Sequence, residues 1–127
     1  MRVSQGQLLA LLENNVLEIR FYRRNTKQGH NAARRMLITN DRQLLNSAPG
    51  RLALLFKPPT HAPAYNWRTK NLACGWDLLW QAYRMVPVES CNVVTIMPSK
   101  PPEKFWEFFS AYLQGMSPTE KAYFMDN

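Results

Sequence analysis

The stretch Val16-Leu-Glu-Ile-Arg-Phe-Tyr22, a polar connection Arg23-Arg-Asn-Thr-Lys-Gln-Gly-His-Asn-Ala-Ala33, and Arg34-Arg-Met-Leu-Ile-Thr39 decides the fold. Leu17, Ile19 and Phe21 alternate with Glu18, Arg20 and Tyr22. That period of two predicts a strand with one apolar and one polar face. The connection carries Arg23, Arg24, Lys27 and His30, and the returning strand opens on Arg34 and Arg35. The stretch reads as a basic β-hairpin.

Outward from the hairpin, Ser4 with Gln7 has the form of a capping box before Leu8, Leu11 and Leu12, which predicts a short helix ending near Glu13. Asn40-Asp41 reads as the cap of one helical turn, Arg42 to Asn46, and Ser47-Ala-Pro-Gly50 as a chain turn. Leu52 to Phe56 is an apolar run of strand length, and residues 57–66 form a proline-rich loop. Asn71–Trp80 and Tyr83–Val88 predict a second hairpin, its tight turn near Gln81-Ala82. In that reading Trp76, Leu78 and Trp80 share a core-facing side of one strand, while Asp77 faces outward to pair with Arg84. Cys91–Met97 adds a β-branched strand.

The tail is helical. Phe105, Phe108, Phe109 and Tyr112 recur at helical spacing, Trp106 and Leu113 widen the stripe, and Gly115 ends it. Ser117-Pro-Thr-Glu120 opens a last short helix. A small barrel needs extra burial, so the aromatic helix is expected to plug an open barrel end, with a partner-binding patch as the alternative.

The chain has 127 residues, of which 46% are hydrophobic. That is the size and composition of one domain: helix in 1–15, barrel in 16–97, helical appendage in 102–127. Net charge is +7, unevenly spread: residues 1–84 hold 13 Lys/Arg against 4 Asp/Glu, residues 85–127 hold 3 against 5. A basic front suits an anionic partner. Cys74 and Cys91 are the only cysteines. Without a C-x-x-C pair they suggest no zinc site, and without an export signal they are expected to be reduced thiols in a cytoplasmic protein. No apolar run is long enough for a membrane span.

The order V-L-E-I-R-F-Y, polar hairpin, R-R-M-L-I-T-N-D, then G-W-D-L-L-W-Q-A-Y-R-M-V-P-V resembles the small SH3-type, Sm-like barrels related to the WYL group, frequent in bacteriophages and mobile elements. The matching positions are Met36 to Asn40, Trp76-Asp77 and Tyr83-Arg84. The resemblance covers residues 16–97. It implies an SH3-like barrel of about five strands, without catalytic residues, that binds through loops and exposed barrel faces. The proline-rich insertion at 57–66 and the aromatic tail depart from it.

Arg20, Arg23, Arg24, Lys27, Arg34 and Arg35 are candidates for phosphate contacts. Tyr65 and Trp67, beside Arg68 and Lys70, are candidates for base stacking. His30 and His61 lack partners in sequence for acid–base work, and no Walker loop, G-x-G-x-x-G or H-E-x-x-H occurs. The expectation is therefore a non-enzymatic nucleic-acid-binding protein, needing no cofactor or metal, that holds single-stranded or structured DNA or RNA through its backbone. The alternative is a phage-type module that inhibits or redirects a host enzyme. Oligomeric state is not legible.

Overall fold

The computed structural model describes residues 1–22, 34–47 and 66–120. The Leu52–Phe56 run and most of the proline-rich loop lie outside them. Helix α1 (Gln5–Asn14) leads into β1 (Asn15–Phe21) and β2 (Arg34–Thr39), followed by the one-turn helix α2 (Arg42–Leu45). A 3₁₀ turn (Arg68–Lys70) precedes β3 (Leu72–Asp77) and β4 (Ala82–Pro87). A second 3₁₀ turn (Val88–Ser90) leads to β5 (Asn92–Pro98), and helix α3 (Pro102–Gln114) follows. The strands form one five-stranded antiparallel sheet in the order β4-β3-β2-β1-β5. This is the small SH3-like barrel with an N-terminal helix and C-terminal helices that the sequence leads one to expect. No helix among the described residues is long and apolar enough to cross a membrane.

Local chemistry sets the element ends. Ser4 Oγ accepts from Gln7 N while Gln7 Oε1 accepts from Ser4 N, the reciprocal capping box read from the sequence. Asp41 Oδ1 accepts from Leu44 N at 3.2 Å and starts α2. The same carboxylate accepts the Ser99 hydroxyl, and Thr39 Oγ1 donates to the Asn15 carbonyl while accepting from Asp41 N. This buried network ties α2 to β1, β2 and the β5–α3 link. Ser117 Oγ accepts from Glu120 N at 3.1 Å, as expected of an N-cap, and opens a helical turn at 118–120.

The sheet curls because its register is uneven. Between Glu18 and Ile19 the β1–β5 pairing shifts, a bulge that bends the strand. The Val88–Ser90 turn carries the chain from edge strand β4 to edge strand β5, and hydrogen bonds fix it to both neighbouring strand pairs. Tyr22 N donates to Ser90 Oγ, Ser90 Oγ donates to Tyr22 O, and Val88 N donates to Asn71 O. Close packing is visible at Gly75: a Cβ there would come within 2.5 Å of Ile38 Cγ1, so a larger side chain fits only if the Ile38 side chain shifts.

Both faces of the sheet are covered. Leu17, Ile19, Phe21, Met36, Ile38 and Val86 fill the barrel interior with Leu8 and Leu12 of α1. Val16, Leu37, Trp76 and Met97 form a second core with Leu44 and Leu45 of α2 and Phe105, Trp106 and Phe109 of α3. Each such side chain removed from water contributes about 1.5–3 kcal/mol.

Several expectations change in detail. The aromatic helix is buried as expected, but it covers the outer face of the sheet, while Leu8 and Leu12 of α1 join the interior. Its buried stripe is Phe105, Trp106 and Phe109; Phe108 is 51% exposed. Because α3 covers that face, Glu18 is buried rather than solvated. The second hairpin turns at Leu78–Gln81, and Ala82 already pairs with Asp77. Asp77 Oδ1 builds that turn by accepting from Leu79 N and Trp80 N, and Gln81 closes it at φ 56°. Trp80 therefore leaves the core and lies against the Arg84 guanidinium, 4.8 Å from its ring centre. Asp77 does pair with Arg84, at 3.7 Å, but from a buried position. Burial raises the Asp77 pKa, opposed by the Trp80 and Leu79 amides and by Arg84. Gly115 ends α3 in a right-handed conformation, φ −79°, so its freedom at positive φ is not used.

Candidate nucleic-acid interface

Of the residues singled out from the sequence, Arg20, Arg34, Arg35, Trp67, Arg68 and Lys70 are described. Arg23, Arg24, Lys27 and Tyr65 lie outside the described residues.

The hairpin stem divides its cations between two faces. Arg20 stands opposite Arg35, and Arg34 opposite Phe21. Directly paired residues share a face and successive ones alternate, so Arg34 lies on the face of Phe21 and not on that of its neighbour Arg35. Two arginines face to face repel. Glu18 offsets this, since Arg35 Nη2 donates to Glu18 Oε2 at 2.6 Å and Thr95 Oγ1 donates to Glu18 Oε1. Tyr112 of α3 lies within electrostatic reach of the pair; its pKa is raised by burial first and by Glu18 second. Arg35 is thus engaged within the fold, whereas Arg20 is exposed.

The second 3₁₀ turn links the stem to the other candidate segment. Ser90 holds Tyr22 at the end of β1, and Val88 holds Asn71 at the end of the Arg68–Lys70 turn. Gln5 Nε2 fixes that turn by donating to Arg68 O at 2.9 Å and Leu72 O at 2.8 Å. Arg2 Nη1 donates to Glu89 O, adding a cation to the same rim. Barrel curvature therefore anchors two segments, distant in sequence, on either side of three residues.

Trp67 and Arg68 also line a concave pocket of about 230 Å³ with Glu13, Asn40, Arg42 and Tyr83. The Arg68 guanidinium lies 5.0 Å from the Trp67 ring centre. Arg42 Nη1 donates to Tyr83 Oη at 3.0 Å, and Asn40 Nδ2 donates to Cys74 O at 2.7 Å. Tyr83 packs edge-on against Trp76, ring centres 5.2 Å apart. Burial raises the Tyr83 pKa, and Arg42 opposes the shift. The pocket presents two aromatic rings, two guanidinium groups, one carboxylate and one amide. That set can stack a base, hold a phosphate and hydrogen-bond a base edge.

Sequence reasoning missed Glu13, Asn40, Arg42 and Tyr83. The cap at Asp41 does place Arg42 at a helix start. Its meeting with Tyr83 depends on the Thr39–Trp76–Tyr83 register, which spans three strands.

Both cysteines are buried and free. Burial pushes each thiol from an ordinary 9.0 up to about 11. A raised folded-state value favours the protonated form. The stability it contributes is complete below pH 9 and is lost as pH rises through 11. The urea midpoint should fall across that window, with Tyr83 and Tyr112 adding to the fall. Cys74→Ala/Cys91→Ala should flatten the fall, and native protein should react slowly with thiol reagents at pH 8. An equal fall in the double variant, or rapid native labelling, contradicts this.

The chain matches no protein-family model, no curated protein and no solved structure.

Proposed function

We propose that this chain is a non-enzymatic nucleic-acid-binding barrel that holds single-stranded or structured DNA or RNA mainly through backbone phosphates. The observation that carries the reading is the Trp67–Arg68–Arg42–Tyr83 pocket. It combines stacking surface with guanidinium groups in one concavity, the pairing that single-strand binders use. The +7 net charge supports it, as does the tethering of the Arg68–Lys70 turn and the basic hairpin stem to a shared 3₁₀ turn. Exposed Arg20 adds to the basic surface, while Arg35 supports the stem through Glu18; Arg23, Arg24 and Lys27 remain candidates from the sequence alone. Guanidinium groups meet phosphate oxygens in a bidentate fork, and Glu13 suits an exocyclic base amine. The reading needs no cofactor.

The test is fluorescence anisotropy of a labelled single strand titrated with wild type and with Arg42→Ala/Arg68→Ala/Lys70→Ala. Wild type binds at low salt and the triple variant binds more weakly. Wild type that leaves the oligonucleotide free at about 50 mM salt, where such binding is strong, ends the reading.

A further inference from the structure

Away from the basic rim, β5 and α3 enclose a groove of about 450 Å³. Met97 and Phe105 line it with both side chains buried, while Ile96 (42% exposed) and Phe108 (51% exposed) also line it and remain open to water. Pro98 and Pro101 stiffen one end, and Lys100 and Lys104 contribute the charge. Lys100 Nζ spends one of its three donors on Asn14 Oδ1, at 3.0 Å. Glu103 and Glu107 of α3 do not line the groove, so among the described residues its charge is wholly positive.

Beside the groove runs a sheet edge. Among the described residues β5 pairs with β1, and Met1 covers its other side only at Val93, through Val93 N donating to Met1 O and Met1 N donating to Val93 O. The edge from Thr95 to Met97 adjoins the apolar walls.

We infer that the β5–α3 groove docks an extended acidic–apolar peptide segment of a partner protein, its alternate apolar side chains in the groove and its carboxylates on Lys100 and Lys104. An added strand takes main-chain hydrogen bonds from a sheet edge and specificity from pockets for alternate residues. Charge selects the occupant. A second copy docked face to face would bring the same two lysines to the groove, and a nucleic-acid strand has no apolar side chains to match Ile96 and Phe108. The inference is independent of the nucleic-acid reading.

The probe is the capped peptide Ac-Asp-Leu-Asp-Leu-Asp-Leu-NH₂, with a control in which lysine replaces aspartate. Titration of isotope-labelled full-length protein should shift the amide signals of Ile96, Met97, Lys104 and Phe108 with the acidic peptide alone. Lys104→Glu should weaken that binding about tenfold or more, because it places like charges in contact. A saturating oligonucleotide should leave the peptide bound. The inference is overturned if the peptide shifts signals at Arg20 and Arg68 instead, if Lys104→Glu binds as wild type does, if the lysine peptide binds equally, or if the oligonucleotide displaces the peptide. It is also overturned if sedimentation shows two copies joined through this face.

Discussion

Phe109→Ala should remove about 3–5 kcal/mol of folding stability, the usual cost of emptying a buried aromatic site. Phe109 is among the largest fully buried side chains and sits where α3 meets Val16, Leu37 and Met97. It stacks on Phe105 at 5.6 Å with an interplanar angle of 20°, and meets Trp106 edge-on at 5.6 Å. Such ring pairs add about 0.5–1.5 kcal/mol beyond the area they bury. Trp106 is itself fixed, its Nε1 donating to Ser47 Oγ at 2.8 Å, so the neighbours cannot easily collapse into the space. A domain of this size is stable by about 5–15 kcal/mol, so the variant should unfold at much lower urea. Phe108→Ala, one residue away but half in water, should cost less than about 1 kcal/mol. Equal urea midpoints for the two variants would contradict the placement of α3 on the outer face.

The contrast between these neighbours shows where sequence reading stops. Helical spacing put Phe105, Phe108, Phe109 and Tyr112 on one stripe, yet the sheet meets the helix along Phe105, Trp106 and Phe109. The direction of docking depends on the shape of the outer face, and that shape follows from strand pairing rather than from the helix. Glu18 carries the same lesson. Its place in a strict alternation marks it as solvated, and a distant helix buries it against Arg35. Caps were legible because their chemistry is local: Ser4 with Gln7, Asp41 before Arg42, and Ser117 with Glu120 each act within three residues. The β3–β4 turn was misplaced because Gln81 adopts a positive φ without being Gly, Asn or Asp, so its sequence carries no turn signature. In the candidate interface, Trp67 and Arg68 stood out as an aromatic beside cations. Arg42 and Tyr83 did not, since only the cross-strand register brings them to that pocket.

Trp67→Ala should lower affinity for single strands by roughly five- to a hundred-fold, the loss of about 1–3 kcal/mol of base stacking. Duplex binding should change little, because paired bases keep their faces stacked on one another. The discrimination, more than the loss, is diagnostic: removal of a merely structural tryptophan would weaken both ligands alike. Trp67 is only half-buried and caps a three-residue turn, so the variant should keep its melting temperature within a few degrees. Trp67→Phe should restore most single-strand affinity, since a smaller ring still stacks. Equal losses for single strand and duplex, or no loss for either, would remove Trp67 from the interface and leave the pocket without its stacking surface.

The most direct measurement is the salt dependence of single-strand binding by the intact chain. Each phosphate neutralised on a single strand contributes roughly −0.7 to the slope of log K against log salt. Five engaged phosphates give a slope of roughly −3.5, and Arg42→Ala/Arg68→Ala/Lys70→Ala should flatten it by about two units. A triple variant that binds with the wild-type slope, or a wild-type slope near zero, would contradict a basic surface built to hold nucleic acid.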